Sequence, residues 1–511
     1  MKSYYFNEEH EMFRQGLRAF LDKEVNPHID QWEEDRRIPK ELWKKFGDMG
    51  YLGLNYPEVY GGSDADFFYS VVFIEEISRC NSGGFMITPT VQQYMSTPYI
   101  FKHGSDFLKE KYLTKAIAGE WICAIAITEP GAGSDVANIK TKAIKDGDAY
   151  IVNGAKTFIT NGVYGDFMVA VVKTDPSAGV DGVSLLVIDR NAEGVSARKL
   201  EKMGWHASDT AELNFDDVKV PVENLIGEEG QGFYYLMGGL QVERLAGAVG
   251  ACSASNYALE YSLQYMSERE AFGRPLNKFQ VLRHRVAQLA SEIEAIKYFV
   301  YHCCKLHEDS HYAVKECSMA KLLATELSDK TMYQCLQFFG GYGYMEEYKI
   351  ARMFRDSRIG TIGGGTSEIM REIIGKMVID EKQYEKNNSQ PTAELKSKEN
   401  GTTKTTTNNQ NTKIMSIETI LSTIQKMAEG KSPLGSTLKL NFGDTQIVID
   451  GTGDSNSVTS ENMEAACTVD ISMEDFESMI SGELNPMAAF MGGKMKVSGD
   501  MGVAMKLQNL L

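Results

Sequence analysis

Residues 384–413 read YEKNNSQPTAELKSKENGTTKTTTNNQNTK. A stretch this poor in apolar side chains cannot bury enough surface to offset the entropy of ordering it, so it reads as a flexible linker. Such a linker neither transmits a rigid orientation nor contributes a site. It divides the chain into two parts that must each build a core. Residues 1–383 are too many for one ordinary core, whereas residues 414–511 have a common domain size.

The long first part changes period twice. In residues 1–120 the apolar positions recur at helical spacing; EEHEMFRQGLRAFLDKEV places Met12, Leu17, Phe20 and Leu21 on one side. NYPEVYGGS at 55–63 marks a turn. Residues 121–230 break into short β-branched runs split by Gly, Asp and Asn, among them WICAIAIT, DFMVAVVK and GVSLLVID. They predict a compact β domain, a barrel or sandwich. Residues 231–383 return to helix, from Phe233 to about His311 with one break at FGRPLN, then from Val314 to about Phe338, where Gly340 and Gly341 terminate it. Beyond the linker, MSIETILSTIQKMAEG is an amphipathic helix and STLKLNFG, TQIVIDG and CTVDISM read as strands, an α+β pattern.

The 511 residues carry a net charge of −17, which argues against nucleic acid or an anionic membrane as the main partner. No run approaches about 18 consecutive apolar residues, so no transmembrane segment is expected. MKSYYFNEEHEMFRQ resembles neither a signal nor a transit peptide, and QNLL is not a peroxisomal tripeptide. The expectation is therefore cytoplasmic, with a mitochondrial or peroxisomal matrix as the alternative. Eight scattered cysteines without a C-x-x-C pair read as free thiols, and the eight histidines show no metal-ligand spacing, so no metal is expected.

Two stretches stand out for chemistry. AITEPGAGSD (126–135) fixes a tight turn after a strand and leaves Thr128, Ser134 and backbone amides as donors. It could cradle a flat ring or a phosphate, or be an ordinary Pro-Gly turn; it is not a G-x-G-x-x-G site. TIGGGTSEIM (361–370) strips three side chains away just before a helix, which suggests that something must come close to bare backbone.

Taken together, ITEPGAGSD, KTFITNG (156–162), REAFGRPLNKFQ (269–280), QFFGGYGYMEEY (337–348) and GGTSEIMREIIGK (364–376) resemble the acyl-CoA dehydrogenase family over about residues 1–380. MGWHASDTAEL and GEEGQGFYYLM look closest to its long-chain branch. The resemblance implies a helical N-terminal domain (1–120), a β middle domain (121–230) and a C-terminal helical bundle (231–383). It also implies FAD, a homotetramer, an acyl-CoA substrate and electron-transfer flavoprotein or a similar acceptor. Carried over position by position, Ile125, Ile127, Thr128, Gly133 and Ser134 would face the flavin ring. Phe158, Ile159 and Thr160 would line its other side, Phe158 standing where many relatives have Trp. Arg269, Phe272, Gln280, Gln337, Gly340 and Gly341 would reach the FAD of a neighbouring subunit, though Arg269 and Gln280 alone would read as a solvated helix face. Thr366 and Glu368 would bind the phosphate and ribose side. Ser134, Gln241, Arg244 and Gly365 match substrate positions, with Arg244 suited to the anionic phosphates of CoA.

Many relatives place the catalytic glutamate where this chain has Gly364. The long-chain and isovaleryl branches carry it on an earlier helix, in a stretch like LQVERL (240–245), which makes Glu243 the candidate base. The alternative for Glu243 is a solvent-facing helix residue. In the implied reaction a base removes the α proton of the thioester while the β hydrogen leaves as hydride, giving a trans-2-enoyl thioester. The Gly364 amide would face the thioester oxygen, and a bare backbone there leaves room for Glu243. Pro98, in YMSTPYIF, is expected to bend a helix near the acyl tail.

GELNPMAAFMGGKMKVSGDMGVAMKLQNLL (482–511) resembles the sterol carrier protein-2 family, over about 414–511. Met487, Phe490, Met491, Met495 and Met501 would then line an apolar tunnel for lipid or acyl-CoA, or be ordinary core. Two other functions fit the same motifs: a flavin oxidase passing electrons to oxygen, and a lipid carrier with a silent dehydrogenase half.

Overall fold

The structure, a computed structural model, describes residues 4–389, 417–428, 433–443, 445–453, 455–461, 463–480, 495–499 and 503. It divides into two compact units, Met1–Gly375 and Lys376–Leu511.

The first unit opens with α1 (Glu8–Glu24), α2 (Ile29–Asp35), α3 (Lys40–Asp48), α4 (Phe67–Ser78), α5 (Gly83–Thr90), α6 (Thr97–His103), α7 (Asp106–Leu108) and α8 (Thr114–Ile117). Asn7 starts α1 reciprocally: its side chain accepts from the His10 amide, and the His10 ring accepts from the Asn7 amide. Leu17 and Leu21 of α1 are buried, with Phe13 and Phe20 packed beside them. Met12 is not on that face; it is 70% exposed. Five residues of helix turn through about 500°, which sets Met12 well away from Leu17, whereas Phe13 is one turn before it. Between α5 and α6 the helix widens into a π turn, Val91–Ser96. Pro98 follows in the first turn of α6 and has no N–H to give. Here the Thr97 and Ser96 hydroxyls donate to the carbonyls of Gln92 and Val91, at 2.6 and 2.9 Å.

The middle of the unit is one eight-stranded sheet. Its strands are β1 (Cys123–Ala126), β2 (Lys142–Asp146), β3 (Ala149–Thr160), β4 (Phe167–Lys173), β5 (Val183–Asp189), β6 (Val195–Lys199), β7 (Thr210–Pro221) and β8 (Leu225–Ile226). Their order is β6-β7-β3-β2-β4-β5-β8, with β1 parallel to β4. Val152 of β3 and Leu213 of β7 pack against Ala170 of β4 and Leu186 of β5, as in a sandwich. The other face of β4 and β5 packs on Ile100, Tyr112 and Leu113 of the helical segment. All seven residues of β4 are therefore buried, which is why its sequence shows no polar alternation.

The bundle consists of α9 (Gly232–Glu268), α10 (Gln280–Glu308), α11 (Val314–Phe339), α12 (Lys349–Ser357) and α13 (Ser367–Ser389), with a two-stranded hairpin, β9 (Glu270–Ala271) and β10 (Arg274–Pro275), between α9 and α10. The face that α11 buries is built largely of small residues, Cys317, Ser318, Ala320 and Ala324, and it includes one lysine, Lys321. Helix α13 continues through Ser389, past the start of the stretch read as linker. The extension, YEKNNS, includes Glu385 and Lys386, good helix formers, and an established helix propagates into it without a new nucleation cost.

The second unit holds α14 (Ile417–Ala428), β11 (Thr437–Asn441), β12 (Gln446–Asp450), β13 (Ser457–Thr459), β14 (Cys467–Ile471), α15 (Met473–Ile480) and β15 (Met495–Gly499). Its strand order is β13-β12-β11-β14-β15, with β11 and β14 parallel and the other pairs antiparallel. Ile420, Ile424, Leu438, Leu440, Val469 and Phe476 form its core. Met495 pairs with Ile471 and belongs to that core. Met487, Phe490, Met491 and Met501 lie outside the described residues.

Candidate active site

Three elements converge on one carboxylate. Helix α9 carries Glu243, α11 carries Lys321, and the turn ahead of α13 carries Gly363, Gly364 and Gly365. The Glu243 Oε2 atom is shut off from solvent and has no hydrogen-bond partner. Loss of water disfavours the charged form, and burial pushes this carboxyl up to about 7, with Arg244 and Lys321 pulling against it.

The glycine triplet faces that carboxylate. Gly364 has φ +62° and Gly365 φ +92°, in the left-handed region where a side chain is strained. A Cβ on Gly364 would lie 3.6 Å from Glu243 Oε1, and one on Gly365 would lie 2.8 Å from the Met370 methyl carbon. The left-handed backbone thus calls for glycine at this turn, and the Glu243 carboxylate reaches van der Waals distance of the position a Gly364 side chain would take. Gly364 itself is open to solvent.

Lys321 ties the elements together. It is 3% exposed, and its Nζ donates to the Gly365 carbonyl at 2.5 Å. Burial pushes its pKa down to about 8, helped by the charge of Arg244 and opposed by Glu243. Sequence reasoning passed over this residue; the available signal was a lysine on the small-residue face of the CSMAKLLATEL helix. Tyr99 was passed over too. A Cβ on Gly239, one turn before Glu243, would lie 2.3 Å from the Tyr99 hydroxyl oxygen, and the Glu243 charge helps to raise the proton affinity of that phenol.

Arg244 is buried, donates to Ser318 Oγ at 3.3 Å, and keeps an enclosed Nε without a partner. Gln241 is half-buried three residues earlier on α9, and Ser134 is exposed on its loop.

The sheet contributes a second group of residues. Ile125 is the third residue of β1, and Ile127, Thr128, Gly133 and Ser134 follow on the loop. That loop is fastened to β3 by backbone and by charge: the Thr157 amide donates to the Thr128 carbonyl at 2.8 Å, and Lys156 Nζ donates to the Ile127 carbonyl and Glu129 Oε1 at 2.9 and 2.8 Å. Against the penalty of burial, Lys156 and neighbouring amides hold the Glu129 carboxyl below its usual range. Past Lys156 the register slips, and Phe158 adopts φ +62° with 70% exposure. A bulge re-aims the side chain at that point. Ile159 points instead into the sandwich core, so only its backbone is available to a ligand, and Thr160 is half-buried.

A third group lines a cavity of about 420 Å³ formed by Glu326, Asp329, Arg358, Thr361, Ile362, Thr366, Ser367 and Glu368. Ser367 Oγ is buried there without a hydrogen-bond partner, at the N-terminus of α13. Three carboxylates against one guanidinium suit hydroxyl groups such as a ribose, while the amides of the helix start suit an anion.

Arg269, Phe272 and Gln280 do not join these groups. They are exposed at or beyond the far end of α9, where Arg269 is 26 residues, or roughly 39 Å along the helix, from Glu243. Gln337, Gly340 and Gly341 are exposed at the end of α11, where the Arg269 guanidinium lies 5.6 Å from the Tyr342 ring. Phe272 is 95% exposed.

Residues 7–120, 124–218 and 230–379 match the N-terminal, middle and C-terminal domains of acyl-CoA dehydrogenase, in that order. Over 382 residues the chain is 41% identical to the mitochondrial long-chain specific acyl-CoA dehydrogenase of Sus scrofa, covering 74% of this chain and 88% of that one. This chain belongs to the acyl-CoA dehydrogenase family. The crystal structure of an acyl-CoA dehydrogenase from Geobacillus kaustophilus superposes with a TM-score of 0.72 at 47% identity, covering 74% of this chain and all of that one. A subunit of the caffeyl-CoA reductase–Etf complex of Acetobacterium woodii is 37% identical, covering 73% and 99% of the two chains. Residues 417–511 match the SCP-2 sterol transfer family.

As an acyl-CoA dehydrogenase, the chain is an oxidoreductase of a family that uses FAD. Its own residues fit that cofactor. Phe158 is an aromatic held out on a left-handed bulge, and Ser367 Oγ is a buried donor with nothing to bind in a cavity at a helix start.

Proposed function

We propose that this acyl-CoA dehydrogenase oxidises long-chain acyl-CoA to trans-2-enoyl-CoA in fatty-acid β-oxidation, with Glu243 as the base. The observation that carries this is the approach of Glu243 Oε1 to the bare Gly364. Where a family member lacks a carboxylate at the glycine turn, another must reach the same space, and Glu243 is the acid beside that turn.

As the carboxylate, Glu243 takes the proton from the thioester α-carbon. Burial raises its proton affinity, so that near neutral pH it is partly ionised and a far stronger base than a solvated carboxylate. The Gly364 amide donates to the thioester oxygen as negative charge develops on it. Arg244, with its unpartnered Nε, binds an anionic part of CoA, and Gln241 and Ser134 are further proposed substrate contacts. FAD, when bound, supplies the acceptor for the hydride that leaves the β-carbon. Ile125, Ile127, Thr128, Gly133 and Ser134 hold one side of it, and Phe158, Ile159 and Thr160 the other. Thr366 and Glu368 take its ribose and phosphate side.

Arg269, Phe272, Gln280, Gln337, Gly340 and Gly341 serve the FAD site of another copy in a homotetramer; their exposure far from Glu243 supports that role. Electron-transfer flavoprotein is the proposed acceptor, in line with the Etf complex to which one relative belongs. The SCP-2 region carries lipid or acyl-CoA, and Met495 supports its core. Nothing in the site favours the oxidase reading. An enclosed carboxylate facing the turn speaks against a silent dehydrogenase half.

Anaerobic flavin bleaching across a panel of acyl-CoAs, repeated with Glu243→Gln, tests this. The wild type should bleach best with long chains and the variant should not bleach; normal bleaching in the variant overturns the base assignment.

A further inference from the structure

We propose that Lys321 is a positioning residue for the reaction: its ammonium grips the glycine turn through the Gly365 carbonyl, and its charge favours the carboxylate form of Glu243. The proposal rests on Glu243 being the base.

The geometry has two parts. First, the Lys321 Nζ donates to the Gly365 carbonyl at 2.5 Å, from a side chain that is 3% exposed. Gly364 and Gly365 are both in the left-handed region, and a glycine turn has many conformations to choose from. A buried donor on α11 restricts that choice and holds the Gly364 amide toward the substrate. Second, Lys321 and Arg244 are the cations whose charge bears on the Glu243 carboxyl. Arg244 is the less adaptable of the two, because it is tied to Ser318 and the proposed CoA contact.

The groups around the pair come from four helices. Tyr99 of α6 faces Glu243, and Arg244 stands beside Glu243 on α9. Glu326 of α11 and Glu368 of α13 act on Lys321, but Glu326 is engaged by Arg371 at 2.5 Å and Glu368 is exposed. Burying a lysine is expensive unless its charge is used. Here the nearby uses are a carbonyl and the carboxylate of Glu243.

The test separates the donor from the charge. Lys321→Gln keeps an N–H for the Gly365 carbonyl and removes the charge; Lys321→Met removes both; Lys321→Arg keeps both. Removing a cation beside a carboxyl raises its proton affinity. The acid limb of kcat should therefore move to higher pH in Lys321→Gln, by about one pH unit or more. In Lys321→Met the plateau kcat should also fall about ten-fold, with KM little changed, and Lys321→Arg should leave the limb in place. Infrared titration of the holoenzyme without substrate gives a second readout: the carboxyl band absent from Glu243→Gln should show the same upward movement. Should Lys321→Met fail to fold, Lys321→Gln carries the test. An unmoved limb and band in Lys321→Gln, with Glu243→Gln inactive, overturns this proposal alone. Full activity in Glu243→Gln overturns the base assignment beneath it.

Discussion

Glu243 Oε1 lies 3.6 Å from the point that a Cβ on Gly364 would occupy. The carboxylate and the missing side chain are neighbours: an acid reaching from α9 comes to van der Waals distance of the position that glycine leaves empty. Gly364 also sits at φ +62°, where an L-residue is strained by about 1–2 kcal/mol. Gly364→Ala should therefore keep its flavin, lose about 1–2 kcal/mol of stability and lose kcat more than KM. Steady-state kinetics beside a thermal melt read both effects.

Glu243 is also a pH-dependent load on the fold. Its folded pKa, about 7, is above the ordinary value of 4.5. A group shifted upward adds stability below its unfolded pKa and loses it as pH rises through the folded one. Relative to wild type, Glu243→Gln should gain stability between about pH 4.5 and 7, reaching up to about 3 kcal/mol above pH 7. Denaturant melts at pH 4.5 and pH 8 check this; an equal difference at both would contradict it.

Lys156 and Glu129 form a buried pair that fastens the loop after β1 to the end of β3. Removing one partner leaves the other charge buried and uncompensated, at about 3–5 kcal/mol. Lys156→Met should lower the melting temperature and weaken flavin retention on dilution, since both segments proposed to face the flavin lose their anchor. Flavin fluorescence released on gel filtration measures the second effect.

Gly239 and Tyr99 occupy one another's space. Gly239→Ala brings a methyl to about 2.3 Å from the Tyr99 hydroxyl oxygen, which must move. Overpacking of this kind destabilises by about 1–3 kcal/mol. The ring carbons Cζ and Cε1 of Tyr99 are also within 2.7 Å of that point, so Gly239→Ala combined with Tyr99→Ala, which removes ring and hydroxyl together, should cost less than the two single losses added, a favourable coupling in a double-mutant cycle. The acyl-chain profile should shift in Gly239→Ala as well, because the displaced phenol sits one helical turn from Glu243, the proposed base.

Much of this protein is written in its sequence. Helical and β-branched stretches predict the helix–sheet–helix order because periodicity follows from burying one face of a regular element. The motif order around AITEPGAGSD and FGRPLNKFQ identifies the family, and the pairing of an acid at Glu243 with glycines at 363–365 makes Glu243 the candidate base. What periodicity assigns wrongly is local: Met12 is exposed because a short window leaves the helix phase loose. Only the tertiary structure decides the surroundings of the carboxylate. Lys321 is 78 residues from Glu243 and Tyr99 is 144, and no local pattern records that α6, α9 and α11 meet. Proton affinity depends on which water is excluded and which charges are near, and both are properties of packing between distant segments.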